Sequence, residues 1–200
     1  MSHVLNINEI FVSVQGEGFL FGKRFIFVRL AGCNLQCPFC DTEHKTVNIK
    51  YSLDQLIGVL HEHNCQNVLW TGGEPLLQLT REMVHAVKAE GFYQAIETNG
   101  SLPVPDGINY VTISPKTETL DNLRRHNYTC NEVRVPVAAG DDLLKFAPVI
   151  YPKAENLYLS PIFDGKKFNE ANFLRAVEIK RLYNDRWQIS LQNQKLLNFL

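Results

Sequence analysis

Alternation of two kinds of segment constrains the fold of this chain more than any other feature. Short runs rich in β-branched and aromatic residues, FIFVRL (25–30), NVLWT (67–71), YQAIET (93–98), NYVTIS (109–114), EVRVP (132–136) and NLYLS (156–160), read as strands. Amphipathic stretches lie between them. SLDQLIGVLHEH begins at Ser52 and has Gln55 three residues on, a capping-box pattern that predicts a helix start. TREMVHAVKAEG sets Met83, Val84 and Val87 at helical spacing and ends at Gly91, a residue suited to the left-handed turn at a helix end. A further helix is predicted near DDLLKFAP (141–148) and a long one over 169–184, before WQISLQ closes the series. SLPVPDG and PKTETLDN read as loops.

Strands that alternate with helices imply βαβ units, because a parallel neighbour requires a crossover. The chain has 200 residues, fewer than the roughly 250 of eight complete units. The expected fold class is therefore α/β, an incomplete (β/α)6-type partial TIM barrel formed as a single domain over residues 1–200, with a doubly wound open sheet as the alternative. Four of the predicted strands end in unusual polar or turn groups: TGGEP (71–75), ETNG (97–100), SPK (114–116) and SPI (160–162). In a parallel sheet these carboxyl ends share one edge, where such folds build their sites.

Twenty basic residues against twenty-one acidic ones give a net charge of -1, which leaves no electrostatic footprint for nucleic acid or an anionic membrane. The amino terminus has neither the basic start nor the apolar stretch of a signal peptide, and no apolar run reaches the roughly 18 residues of a span. A cytoplasmic protein with a small ligand is expected. Thiols stay reduced in that compartment, so clustered cysteines point to metal or redox chemistry. Cys65 and Cys130 stand apart from the others and read as structural.

The cluster lies in GCNLQCPFCDT (32–42), where Cys33, Cys37 and Cys40 occupy three of eight positions. Three soft sulfur ligands suit an iron-sulfur cluster or zinc. Zinc would take a fourth ligand, for which His44 is close enough in sequence. Three cysteines on a four-iron cluster instead leave one iron open to a cofactor.

The spacing Cys33-x3-Cys37-x-Phe39-Cys40 resembles the signature of radical S-adenosylmethionine (SAM) enzymes, and TGGEP is similar to their glycine-glycine-glutamate segment. The resemblance implies a radical SAM core with a [4Fe-4S] cluster on Cys33, Cys37 and Cys40, and SAM chelating the open iron. It implies that Phe39 packs near the adenine and that Gly73 and Glu74 meet the SAM amino group. Gly100, Ser114, Pro115 and Lys116 are implied to contact the rest of SAM, with Ser160, Pro161 and Ile162 beside the adenine.

A narrower resemblance, to the 7-carboxy-7-deazaguanine synthase family of queuosine and deazapurine biosynthesis, rests on FVSVQGEG (11–18), FIFVRLAGCNLQCPFCDT (25–42), TGGEP, IETNG, ISPK and SLQNQKLLNFL (190–200). It implies a ring contraction of 6-carboxy-5,6,7,8-tetrahydropterin with loss of ammonia, begun when a SAM-derived radical takes hydrogen from the substrate. Thr42 is implied as a Mg2+ ligand. Val14, Gln15 and Gly16 are implied to bind the pterin, Arg29 its carboxylate, and Thr98 and the terminal carboxylate of Leu200 the rest. Many relatives have Gln-Thr-His-Lys near the end, whereas this chain has QNQK, with Gln194 in the histidine's place. An electron donor such as a flavodoxin and a homodimer are also implied.

Two other readings remain open at this stage. A glycyl-radical enzyme activase shares the cysteine spacing but has no need of QGEG, Arg29 or Thr42. A non-catalytic zinc or iron-sulfur binding module would leave TGGEP, ETNG and SPK without a role beyond turns.

Overall fold

The computed structural model describes residues 4–126, 129–141, 154–183 and 186–199. By contact density the chain divides into two compact units: Met1–Val14 with Lys23–Thr98 and Leu102–Val111, and Gln15–Gly22 with Asn99–Ser101 and Thr112–Leu200.

In the first unit β1 (Val4–Val14) pairs antiparallel with both β2 (Arg24–Leu30) and β3 (Ile49–Ser52). β2, β4 (Asn67–Gly72) and β5 (Tyr93–Thr98) are parallel neighbours, as the alternating pattern requires. Ile26, Val28, Leu30, Val68, Trp70 and Ile96 are fully buried on these three strands. Each such side chain contributes about 1.5–3 kcal/mol when removed from water.

The crossovers are helices α1 (Leu53–Glu62) and α2 (Arg81–Ala89). The capping box of Ser52 and Gln55 forms as expected, Thr80 caps α2, and Gly91 takes φ 86° after it. Leu56 and Leu60 of α1 are buried, as are Met83, Val84 and Val87 of α2. One amide joins three elements: Gln94 accepts from Trp70 Nε1 at 2.9 Å and donates to the Val84 carbonyl at 2.9 Å. In a dry interior such a bond is costly to lose, because two buried groups would be stranded.

In the second unit Thr112 and Ile113, the end of β6 (Tyr110–Ile113), then β7 (Cys130–Val137), β8 (Ala154–Pro161) and β9 (Trp187–Ile189) pair in parallel, in that order. Val133, Val135, Val137, Leu157 and Leu159 are buried, with Ala176 and Ile179 of the long helix Glu170–Tyr183.

Three elements depart from the sequence reading. β1 and β3 were not anticipated; the polar Asn6, Asn8 and Glu9 interrupt β1's apolar residues, and a register shift falls between Ile7 and Glu9. PKTETLDN is not all loop: a turn of 3-10 helix at Thr117–Thr119 leads into a helix at Leu120–Arg125, whose Leu120 and Leu123 are buried at helical spacing. The helix predicted near 141–148 falls, apart from Asp141, outside the described residues. Among the described residues no helix is long and apolar enough to cross a membrane.

Candidate active site

The register of the first unit sets Leu30 opposite Gly72 and Trp70 opposite Ile96, so β2, β4 and β5 end at a common level. At that edge the chain passes from β4 into TGGEP, where backbone meets backbone. Gly73 N–H donates to the Leu30 carbonyl at 3.0 Å, and Glu74 N–H to the Gly32 carbonyl at 2.9 Å. A side-chain carbon on Gly73 would come within 1.9 Å of that Gly32 oxygen. Only glycine permits this joint, which fastens the TGGEP turn to the residue before Cys33.

Glu74 is fully buried. Its Oε1 accepts from Leu76 N–H at 3.0 Å and from the Thr98 hydroxyl at 2.8 Å, so two predicted site residues from different strand ends meet here. A buried carboxylate calls for such donors and is a natural partner for an ammonium.

Residues 32–48 form no helix or strand. None of the three thiols of this stretch is in a disulfide; Cys33 and Cys37 are partly buried and Cys40 is exposed. A tight turn brings Cys40 N–H to the Cys37 carbonyl at 3.0 Å, and Cys40 Sγ lies 3.6 Å from the Thr42 carbonyl. Phe39, between the last two thiols, is 38% exposed. The Thr42 hydroxyl reaches Asp41 Oδ1 at 3.4 Å. Beside it, backbone N–H groups of Lys45 and Thr46 hold the Glu43 carboxyl below its usual range.

His44, the fourth ligand of the zinc reading, turns its carbonyl to Gly32 N–H at 2.6 Å, and its Nδ1 is buried without a hydrogen-bond partner among the described residues. No three His, Cys, Asp or Glu side chains are gathered as a ready ligand set among the described residues.

The donor set nevertheless suits an iron-sulfur cluster. Three soft thiols outside any disulfide lie within eight residues of one irregular loop, the ligand type that such clusters take. The Gly73 joint and the buried Glu74 beside this loop suit an amino acid moiety such as that of SAM.

Arg29 and Val14 complete the predicted residues of this unit. Arg29 stands opposite Glu9, pairs with it at 2.6 Å and lies over the Phe11 ring. Val14 is the last residue of β1.

In the second unit Gln15 and Gly16 are buried in the loop after β1. Gly100 takes φ 76°, and a side-chain carbon there would meet Leu123 at 2.6 Å. After β6 the Lys116 ammonium bonds the Ser114 carbonyl at 2.7 Å and hydroxyl at 3.0 Å, closing Ser114-Pro115-Lys116 on itself. Ser160 and Pro161 end β8 opposite Pro136 and Val137 of β7, and Ile162 N–H donates to the Val137 carbonyl at 2.9 Å. Leu200 lies outside the described residues.

Sequence reasoning missed a polar network in this unit. Glu17 accepts from Gln194 Nε2 at 2.8 Å and from Gln192 Nε2 at 3.3 Å, and faces Arg134 at 3.4 Å. Arg134 is held at 2.7 Å by Glu132, which is fully buried. Burial pushes the Tyr158 phenol up, and the nearby Glu132 carboxylate adds to this while Arg134 opposes it. A signal was present: Glu132 and Arg134 are charges inside the otherwise apolar run of a central strand, and charges so placed are normally paired.

Comparison with known proteins agrees with this geometry. The model of the radical SAM superfamily matches residues 27–159. The 7-carboxy-7-deazaguanine synthase of Haemophilus influenzae is 37% identical over 96% of this chain and 92% of its own length. That of Bacteroides thetaiotaomicron is 35% identical over 96% of this chain and 97% of its own. The crystal structure of QueE from Escherichia coli superposes with a TM-score of 0.72 at 25% identity, covering 95% of this chain and 94% of that one. The fold is thus an α/β partial barrel of the radical SAM type, a family that uses a [4Fe-4S] cluster and SAM, and the activase and non-catalytic readings are not favoured. The chain belongs to the radical SAM superfamily and, within it, to the family of the 7-carboxy-7-deazaguanine synthases.

Proposed function

We propose that this enzyme converts 6-carboxy-5,6,7,8-tetrahydropterin to 7-carboxy-7-deazaguanine and ammonia. The reading is supported most by the backbone joint between the cysteine loop and the TGGEP turn, in a chain similar to synthases of that name over nearly its whole length. Product and ammonia together contain every atom of the substrate, so the ring contraction consumes no external oxidant. When bound, the cluster and SAM supply one-electron chemistry for hydrogen abstraction from the substrate.

The protein's work is to bind, orient and shield. Cys33, Cys37 and Cys40 hold the cluster as thiolates, and their loop supplies no fourth thiol. Glu74 and the Gly73 carbonyl take the SAM ammonium. Phe39 and Ser160-Pro161-Ile162 flank its adenine, and Gly100, Ser114, Pro115 and Lys116 bind the remainder. Val14, Gln15 and Gly16 present a backbone edge to the pterin, with Thr98 and Leu200 as further contacts. Arg29 binds the substrate carboxylate: Glu9 takes only Nη1, and a guanidinium carries further donors on its fork.

Thr42 contributes an oxygen to Mg2+, a hard ion that completes its octahedron with waters and ligand oxygens. The enzyme works as a single radical SAM domain over residues 1–200, in the cytoplasm, as a homodimer fed by a carrier such as a flavodoxin.

The test is anaerobic incubation of the reconstituted protein with reductant, SAM, Mg2+ and carboxytetrahydropterin, followed by mass spectrometry. 7-Carboxy-7-deazaguanine is expected. Its absence while a known synthase produces it in parallel would overturn the reading.

A further inference from the structure

Glu17, third residue of Gln15-Gly16-Glu17-Gly18, has no role in the scheme above, yet four polar side chains converge on it: Gln192, Gln194, Ser160 and Arg134. Its side chain is 12% exposed. Oε1 accepts from Gln194 Nε2 and Gln192 Nε2, at 2.8 and 3.3 Å. Oε2 accepts from the Ser160 hydroxyl and faces Arg134 Nη1, both at 3.4 Å.

The surrounding bonds join the same two stretches of chain. Asn193 Nδ2 donates to the Gly16 carbonyl at 2.8 Å, and Gly18 N–H to Ser190 Oγ at 2.8 Å. Phe19 N–H donates at 2.9 Å to Glu132, the carboxylate that also holds Arg134. Residues 15–19 and 190–194 are thereby fastened together, with Glu17 as the shared acceptor.

A carboxylate can only accept, so it dictates how both carboxamides face. Each must turn Nε2 inward. For Gln194 this leaves Oε1 against Gly16, where a side-chain carbon would come within 2.0 Å of it. That oxygen is buried and has no hydrogen-bond partner among the described residues. Gln194 therefore fills the notch left by the missing side chain of Gly16, and an unsatisfied acceptor is tolerated there because Glu17 holds the amide.

We propose that Glu17 is the positioning residue of the pterin edge: by clamping Gln192 and Gln194 it seats the 190–194 segment on Gly16 and sets the course of the Gln15–Gly16 backbone. The inference rests on the assignment of that backbone to substrate binding. A positioning role of this kind acts on substrate capture more than on turnover.

The test is a donor–acceptor exchange. Glu17→Gln removes the charge shared by both carboxamides and sets an amide NH2 opposite Arg134 or the carboxamides, and is expected to raise KM for carboxytetrahydropterin about tenfold, with kcat changed less than about threefold, in keeping with loss of a charged hydrogen bond. Glu17→Gln/Gln194→Glu restores the carboxylate–amide pair at 194 with its polarity reversed, but not the charge opposite Arg134, and is expected to recover part of that loss. An unchanged KM in the single variant, or no recovery in the double variant while both still bind SAM, would overturn the proposal. Should Glu17→Gln fail to fold, Gln194→Ala leaves the carboxylate in place and is expected to raise KM about fivefold; an unchanged KM there would also overturn it. Hydrogen exchange gives a readout independent of turnover. Residues 192–196 should exchange faster in whichever variant folds, and unchanged exchange counts against the clamp. A wild-type protein that makes no product would defeat the functional reading instead.

Discussion

The loops at 15–18 and 32–42 carry the two most distinctive motifs of the chain, and they are built in opposite ways. Residues 15–18 are packed and cross-tied: a carboxylate, two carboxamides, a guanidinium and two hydroxyls lock them to distant strands and to the 190–194 segment. Residues 32–42 hold three thiols outside any disulfide, with Cys40 and Phe39 exposed and no ready ligand set among the described residues. The protein builds the first loop from its own side chains. The second joins the TGGEP turn at its start, where Glu74 N–H donates to the Gly32 carbonyl, and on the proposed reading its thiols await a cluster.

The largest expected break in this contrast comes from Cys40→Ala. It should remove the bound iron and all turnover while stability changes by less than about 0.5 kcal/mol, because an exposed side chain leaves no cavity; iron analysis and urea denaturation of the apoprotein check both halves. Gly18→Ala comes next. Gly18 takes φ 67°, and a side-chain carbon there would meet Glu132 at 2.2 Å, so about 2–4 kcal/mol of stability should be lost.

Gly32→Ala sharpens the comparison. Its φ is 89° but nothing lies within 4 Å of the added carbon, so only the backbone strain remains, about 1–2 kcal/mol in the same denaturation experiment. Equal losses at Gly18 and Gly32 would contradict the description of the two loops. The smallest effect is expected from Thr42→Ala, which should weaken the Mg2+ stimulation of turnover and leave the iron content unchanged. Full stimulation would exclude Thr42 as the metal ligand.

The same contrast explains what could be read from sequence. The thiols, TGGEP and the strand ends depend on neighbours a few residues away, so their spacing shows them directly, and the parallel strands stand out as short apolar runs. β1 was obscured because Asn6, Asn8 and Glu9 interrupt its apolar residues. The helix at Leu120–Arg125 hid behind threonine, aspartate and asparagine, although Leu120 and Leu123 carried its period. Glu17 was illegible for another reason. Its partners Arg134, Ser160, Gln192 and Gln194 lie more than a hundred residues away, and no local pattern encodes such a meeting.

The thiol loop supplies three cysteines, and on the proposed reading the open place on its cluster takes SAM. The most direct measurement is electron paramagnetic resonance of the anaerobically reconstituted, reduced protein with and without SAM. The expected result is a [4Fe-4S] signal that changes on SAM addition and disappears in Cys40→Ala. A cluster signal indifferent to SAM, or a protein that takes up zinc in place of iron and sulfide, would contradict it.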